Sequence, residues 1–299
     1  MDQVSQDNVS NMTNATMKTI GFYDEGDVSY LRNLYLDLLK KSLTFRLYRE
    51  QIGVLNVWRR SRWLNEVMRW FLRSLEQRGL ILAKRYPEES ALDGSLWPVY
   101  AHTMVGWKRL TNLQQCVEDV LSNAVEGDLL EAGVWRGGCA IFMKGMLAAY
   151  GDTIRKVFVA DSFAGLPPPD PLKNPADAGS RWHEVSYFAV SEEEVRDNFR
   201  RYGLLDNRVV FLRGYFEETL PTAPVEKLAI LRADGDLYSS TMAILTSLYE
   251  KLSVGGYCII DDYYAIKGCR VAVEEFRKER GILSPLREID GVGVYWKKE

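Results

Sequence analysis

From Gly127 to the C-terminus, short apolar runs alternate with stretches of helical length, a texture that predicts an α/β fold built on a mostly parallel sheet. The predicted strands are Asp128–Glu131, Val157–Asp161, Val209–Arg213, Leu228–Asp234 and Tyr257–Asp261. Two shorter ones, Leu286–Ile289 and Val292–Trp296, fit an antiparallel finish. Between strands two and three, Leu166–Ser191 is proline-rich and lacks strong periodicity, which predicts a long loop of the kind used as a lid or binding loop. Upstream the period is helical. Leu31, Leu34 and Leu38 recur within Asp27–Leu47, and Leu64, Met68, Phe71 and Leu75 recur further on, with Arg62, Glu66, Arg69, Arg73 and Glu76 opposite them. Another helix is expected over Leu110–Ser122. Residues 1–20 are polar, bury too little apolar surface to offset ordering entropy, and read as a disordered tail.

Composition excludes several classes. With 299 residues, 46% hydrophobic and 26% charged, the chain has ordinary globular values. No run approaches the roughly 18 apolar residues of a spanning helix, and the polar start lacks the pattern of a secretory signal, so a soluble, cytoplasmic protein is expected. Cys116, Cys139, Cys258 and Cys269 show no CxxC spacing, which argues against a disulfide framework or zinc site. Only two histidines, His102 and His183, are present, too few for a histidine-rich metal centre. The net charge of −3 is uneven: Lys40 to Arg85 carries nine more basic than acidic side chains, leaving −12 on the remainder.

In an open α/β sheet, ligands bind beyond the carboxyl ends of the strands, so the residues that end each strand matter most. Here they are Glu131, Asp161, Asp234 and Asp261, all acidic. The first strand runs into Glu-Ala-Gly-Val-Trp-Arg-Gly-Gly (131–138), a glycine turn without the GxGxxG or GK[ST] spacing of pyrophosphate-binding loops. Such a turn behind an acid suits a ligand without a pyrophosphate and bearing positive charge. Asp161 stands where related folds place an acid on ribose hydroxyls. S-adenosylmethionine, a sulfonium with a ribose, fits both; a turn kept only for strand-to-helix packing also fits.

A second cluster is sharper. Leu-Arg-Ala-Asp-Gly-Asp (231–236) and Ile-Asp-Asp (260–262) end two strands that should be neighbours, bringing Asp234, Asp236, Asp261 and Asp262 together. Four carboxylates in one volume repel unless a cation or protons hold them, and an oxygen-only set selects Mg²⁺, Ca²⁺ or Mn²⁺ over zinc. The alternative is helix capping, for which Asp236 is placed ahead of a helix over Ser239–Leu248.

From Ala101 onward the chain closely resembles the macrocin-type (TylF-like) S-adenosylmethionine-dependent O-methyltransferases. The matching stretches include AHTMVGWKRLTNLQQCVEDVL, DLLEAGVWRGGCAIFMKGMLAAYG, VADSFAGLPPPDP, PADAGSRWHE, LRADGDLYSSTM and KLSVGGYCIIDDYYAIKGCRVAVEEFR. YLDLLKKSLT (35–44) also looks like the family's N-terminal helix, and the likeness covers about two-thirds of the chain. It implies a class I, Rossmann-like methyltransferase fold with an N-terminal helical extension. It also implies S-adenosylmethionine, and Mg²⁺-dependent transfer to a sugar hydroxyl of a natural product.

By position, the resemblance makes Asp234, Asp261 and Asp262 metal ligands and Asp236 the general base. Gly133, Asp161 and Ser162 fall at the cofactor strand ends, with Glu131 just ahead of the turn. Gly214 and Phe216 fall at the adenine, Thr103 and Met104 on a segment covering the cofactor, and His183 at the substrate. The run from Phe45 to Leu96 departs from the family pattern, in a region that serves the family as substrate lid or oligomer contact. The expected organisation is a tail (1–20), a helical lid or oligomerisation region (21–98) and the methyltransferase domain (99–299), assembling as a homo-oligomer. A catechol or other vicinal diol is a second acceptor class. A basic arm for RNA is a third reading, disfavoured by a pI near 5.7; no nucleic-acid or integral-membrane partner is expected.

Overall fold

A computed structural model describes residues 25–48, 51–54 and 67–299, apart from single positions 69, 73, 76, 81, 93 and 95. The tail expected over 1–20, together with Arg62, Leu64 and Glu66, lies outside the described residues.

The principal sheet has seven strands: β3 (Asp128–Ala132), β4 (Val157–Asp161), β5 (Val209–Arg213), β6 (Leu228–Ala233), β7 (Leu252–Ile260), β8 (Arg287–Glu288) and β9 (Val294–Lys297). Their order is β5-β4-β3-β6-β7-β9-β8. The first five are parallel, and β9 returns antiparallel to β7 and to β8. The chain builds outward from β3 in one direction through β4 and β5, then restarts at β6 on the other side. That restart makes β3/β6 the switch point.

Both faces of the sheet are covered, which is why its strands read as nearly continuous apolar runs. Leu129, Val157, Val159 and Ile230 belong to one core, Leu130, Phe158, Ala160 and Leu231 to the other, in period-two alternation. The first core is closed by α1 (Glu25–Leu43), α2 (Trp107–Ser122), α3 (Gly138–Ala149) and α4 (Glu192–Arg201); the second by α5 (Tyr238–Leu248) and α6 (Lys267–Glu279). Almost every residue of α3 is buried, consistent with its all-round apolar sequence; its Lys144 is neutralised by Asp206 at 2.8 Å.

The helical spacing of Leu31, Leu34 and Leu38 is borne out by α1, and the structure shows which face is covered. Leu36, Leu39, Lys40 and Leu43 are buried, whereas Leu31, Leu34 and Leu38 lie on the solvent side, the last two each 54% exposed. Spacing alone could not choose, because the helix is apolar on both faces and α3 takes only one of them. The region 21–98 also holds more than helix. β1 (Gln51–Val54) pairs antiparallel with β2 (Ala83–Tyr86), and residues 67–68, 70–72 and 74–75 are helical, with Trp70 and Phe71 exposed. No described helix is long and apolar enough to cross a membrane.

Candidate active site

Register places the site. Ala132 is level with Ala160 and Ala233, and Ala233 with Ile260, so the next residues, Gly133, Asp161, Asp234 and Asp261, form a row along the carboxyl edge of the sheet. Above this edge opens a cleft. Its floor includes Gly133, Asp161, Asp234 and Asp236, and its walls carry Met104, Trp135, Phe188, Tyr215 and Phe216. Three non-glycine residues in the surrounding loops have positive φ: Trp135 (48°), Phe163 (54°) and Asp236 (56°). Such backbone is sparsely populated outside glycine and persists where the surroundings enforce it.

Asp161 organises the glycine turn. One carboxylate oxygen accepts from the Val134 N–H at 2.8 Å and the Trp135 N–H at 3.4 Å, the other from the Phe163 N–H at 2.8 Å. Ser162 donates to the Gly165 carbonyl at 2.6 Å, shaping the next loop. Gly133 lines the cleft and also meets a second constraint. A β-carbon there would run into the backbone of Asp234, so the close approach is between two strand ends.

Asp234, Asp236 and Asp262 converge, each offering an oxygen within 4.8 Å of the others. Burial and mutual repulsion push all three carboxyls above the ordinary range. Asp236 rises to about 8, through burial first and then Asp234, Asp261 and Asp161. One oxygen of Asp262 is buried without a hydrogen-bond partner. An oxygen-only set with an unsatisfied buried acceptor fits a hard divalent cation.

Asp261, at the end of the row, is directed elsewhere. Its two oxygens accept from Arg232 and Arg109. Arg232, only 2% exposed in mid-strand, also donates to Glu131 at 2.8 Å and Asp234 at 2.9 Å, while Arg109 reaches Asp290 at 2.8 Å. Glu131 therefore lies beneath the cleft floor, one residue short of the strand end, and its side chain serves Arg232 instead of lining the cleft. Both arginines escaped the sequence reading. The signal for Arg232 was present: a single cation inside an otherwise apolar strand.

The remaining expected site residues divide. Met104 and Phe216 line the cleft, and Gly214, just past the end of β5, stands outside the lining two residues before Phe216. Thr103 is buried under Val105, whose N–H it accepts at 3.2 Å. His183 is exposed on the long loop, outside the cleft lining. Asp236 does not cap the helix that follows it. That helix, α5, receives its acceptors from Asp177, in the loop 166–191, which takes the Tyr238 N–H at 2.6 Å and the Ser239 N–H at 3.2 Å. The same loop is held at its far end by aromatic packing: Tyr187 stacks on Trp97 with centroids 5.3 Å apart, and its carbonyl accepts from Trp135 Nε1 at 3.0 Å.

The strand order, the acidic strand ends and the cleft at the switch point define a class I methyltransferase. Residues 32–298 match the family model described as macrocin O-methyltransferase (TylF), and the chain belongs to that family. The match runs through 45–96, so the stretch that departs from the motifs lies within the family's frame. The chain is 48% identical over 267 residues to 8-demethyl-8-(2,3-dimethoxy-alpha-L-rhamnosyl)-tetracenomycin-C 4'-O-methyltransferase of Streptomyces olivaceus, covering 89% of this chain and 93% of the relative. It is 45% identical over 268 residues to mycinamicin III 3''-O-methyltransferase of Micromonospora griseorubida, covering 89% and 96%. The solved O-methyltransferase NovP superposes with a TM-score of 0.78 at 46% identity, over 89% of this chain and 99% of that one. The protein is an S-adenosylmethionine-dependent O-methyltransferase.

Proposed function

We propose that this enzyme methylates a hydroxyl of a sugar or sugar-like natural product and that the reaction depends on Mg²⁺. The observation that carries the metal is the convergence of Asp234, Asp236 and Asp262 around a buried, unpartnered carboxylate oxygen at the cleft floor. The acceptor class is supported by the relatives, whose names specify methylation of a rhamnosyl-tetracenomycin and of mycinamicin III.

Asp234 and Asp262 would hold the cation, with Asp261 behind them, and the cation would lower the pKa of an acceptor hydroxyl, as it does for bound water. Asp236 takes the hydroxyl proton. Its carboxylate lies at the cleft floor beside Asp234 and Asp262, within reach of an acceptor hydroxyl held there. Bound S-adenosylmethionine would supply the methyl group to the acceptor oxygen and leave as S-adenosylhomocysteine, its sulfur keeping the electron pair of the broken carbon–sulfur bond. Asp161 and the glycine turn fix the cofactor side of the cleft, and Tyr215 and Phe216 offer apolar and ring surface to its adenine. Holding the two reactants aligned supplies most of the acceleration.

The test is transfer of label from methyl-labelled S-adenosylmethionine, with Mg²⁺, to a panel of glycosides and catechols. Label in a glycosyl methyl ether supports the reading, and label in catechols alone overturns it.

The enzyme acts as a homo-oligomer in this reading. The exposed row Leu31, Leu34 and Leu38, flanked by Tyr30 and Tyr35, is a contiguous apolar face on α1.

A further inference from the structure

Loop 166–191 has two jobs that meet in one residue. Leu166 and Pro167 near its start and Phe188 near its end form part of the cleft wall. Between them, on the turn Pro175–Asp177, Asp177 is carried away from the cleft and into the protein, where it is 3% exposed. Both its oxygens are spent on the first turn of α5, accepting from Tyr238 and Ser239. Gly268 of α6 leaves the room: a β-carbon there would press on the same Asp177 oxygen.

The helix has no local substitute. Its own N-cap position is Leu237, whose side chain cannot accept a hydrogen bond. Without Asp177, two buried-side N–H groups at the start of α5 lose their acceptors. Those groups stand immediately after Asp234-Gly235-Asp236, and Asp236 is held at φ 56°, a conformation that relaxes when its surroundings loosen. Seating the loop and fixing Asp236 are therefore one structural event.

We propose that Asp177 is a positioning residue that couples the seating of loop 166–191 over the cleft to the placement of Asp236, so that the proton acceptor is in place only when the cleft is covered. The proposal rests on Asp236 as the base. Its logic is that of closure completing a catalytic constellation: acceptor binding that seats the loop also sets the aspartate.

The experiment uses the full-length enzyme with three variants, Asp177→Ala, Asp177→Asn and Asp236→Asn, and the double variant Asp177→Ala/Asp236→Asn. Hydrogen exchange should accelerate at the amides of Tyr238 and Ser239 in Asp177→Ala, whereas cofactor affinity by calorimetry should change less than about twofold. Its kcat should fall about 10- to 100-fold, the scale of a roughly 1 Å misplacement. Asp177→Asn, which keeps one acceptor oxygen, should fall between it and wild type and secures the test if the alanine variant does not fold. In the Asp236→Asn background the Asp177→Ala substitution should add little further loss, because both act through one group. Unchanged exchange at Tyr238 and Ser239, or losses that multiply in the double variant, would overturn the coupling. Near-wild-type turnover in Asp236→Asn would instead remove the base reading, and the exchange measurement would still decide whether the loop holds the helix.

Discussion

Gly133 and Asp234 touch backbone to backbone: a β-carbon on Gly133 would overlap the Asp234 carbonyl oxygen. The glycine turn and the carboxylate cluster are thus joined at one point, across the switch between β3 and β6. Gly133 also has φ 88°, which disfavours any side chain. Gly133→Ala should therefore damage both halves of the site. Calorimetry should find weaker S-adenosylhomocysteine binding and weaker divalent-cation binding together, with a stability loss on the order of 2 kcal/mol in thermal melts. Loss of cofactor binding with intact cation binding would mean that the glycine serves the ligand alone.

Asp236→Asn is nearly isosteric and leaves α5 capped by Asp177. Turnover should fall about 10²- to 10⁴-fold, the usual loss for a general base. The melting temperature should change little, since asparagine keeps the shape of a carboxyl that burial already holds largely protonated near pH 7. Retained turnover would contradict the assignment.

Much of this site was legible because strand ends are local: an apolar run that stops at an acid marks its own terminus, and Asp161, Asp234 and Asp261 all fall within one residue of an observed end. What sequence could not give were contacts between distant segments. Asp177 reaches α5 from 61 residues away, and Arg109 reaches Asp261 from 152. Which face of α1 is covered was not legible for the same reason, because burial depends on which side α3 takes. Asp236 had two readings, cap or site, and only the identity of the true cap separates them.

His102 ties the N-terminal helix region to the body. Its Nδ1 lies 2.8 Å from the Tyr202 hydroxyl, which is 3.2 Å from Ser42 Oγ on α1. Burial, then Arg136 and Arg201, lower its pKa to about 4. The folded state therefore resists protonation, so the stability His102 contributes is present above about pH 6.5 and drains away as pH falls toward 4, by up to about 3 kcal/mol. Melts from pH 7 to 4 should show this slope, and His102→Gln should flatten it. Parallel slopes would assign the acid sensitivity elsewhere.

The proposed oligomer rests on the exposed row of α1. Light scattering should find more than one subunit for wild type, and Leu34→Glu, a charge in the middle of the row, should shift the mass toward the monomer with the melting temperature nearly unchanged. A monomeric wild type would end this part of the account.

The carboxylate cluster is proposed as a cation site required for methyl transfer. Its most direct test is turnover of enzyme dialysed against EDTA, measured as Mg²⁺ is titrated back, alongside Mn²⁺ binding followed by electron paramagnetic resonance. The account predicts no turnover after dialysis and recovery that saturates with bound cation. Asp262→Ala should bind neither cation and recover nothing, yet keep its affinity for S-adenosylhomocysteine. Full turnover in EDTA, or Mn²⁺ binding untouched by Asp262→Ala, would contradict it.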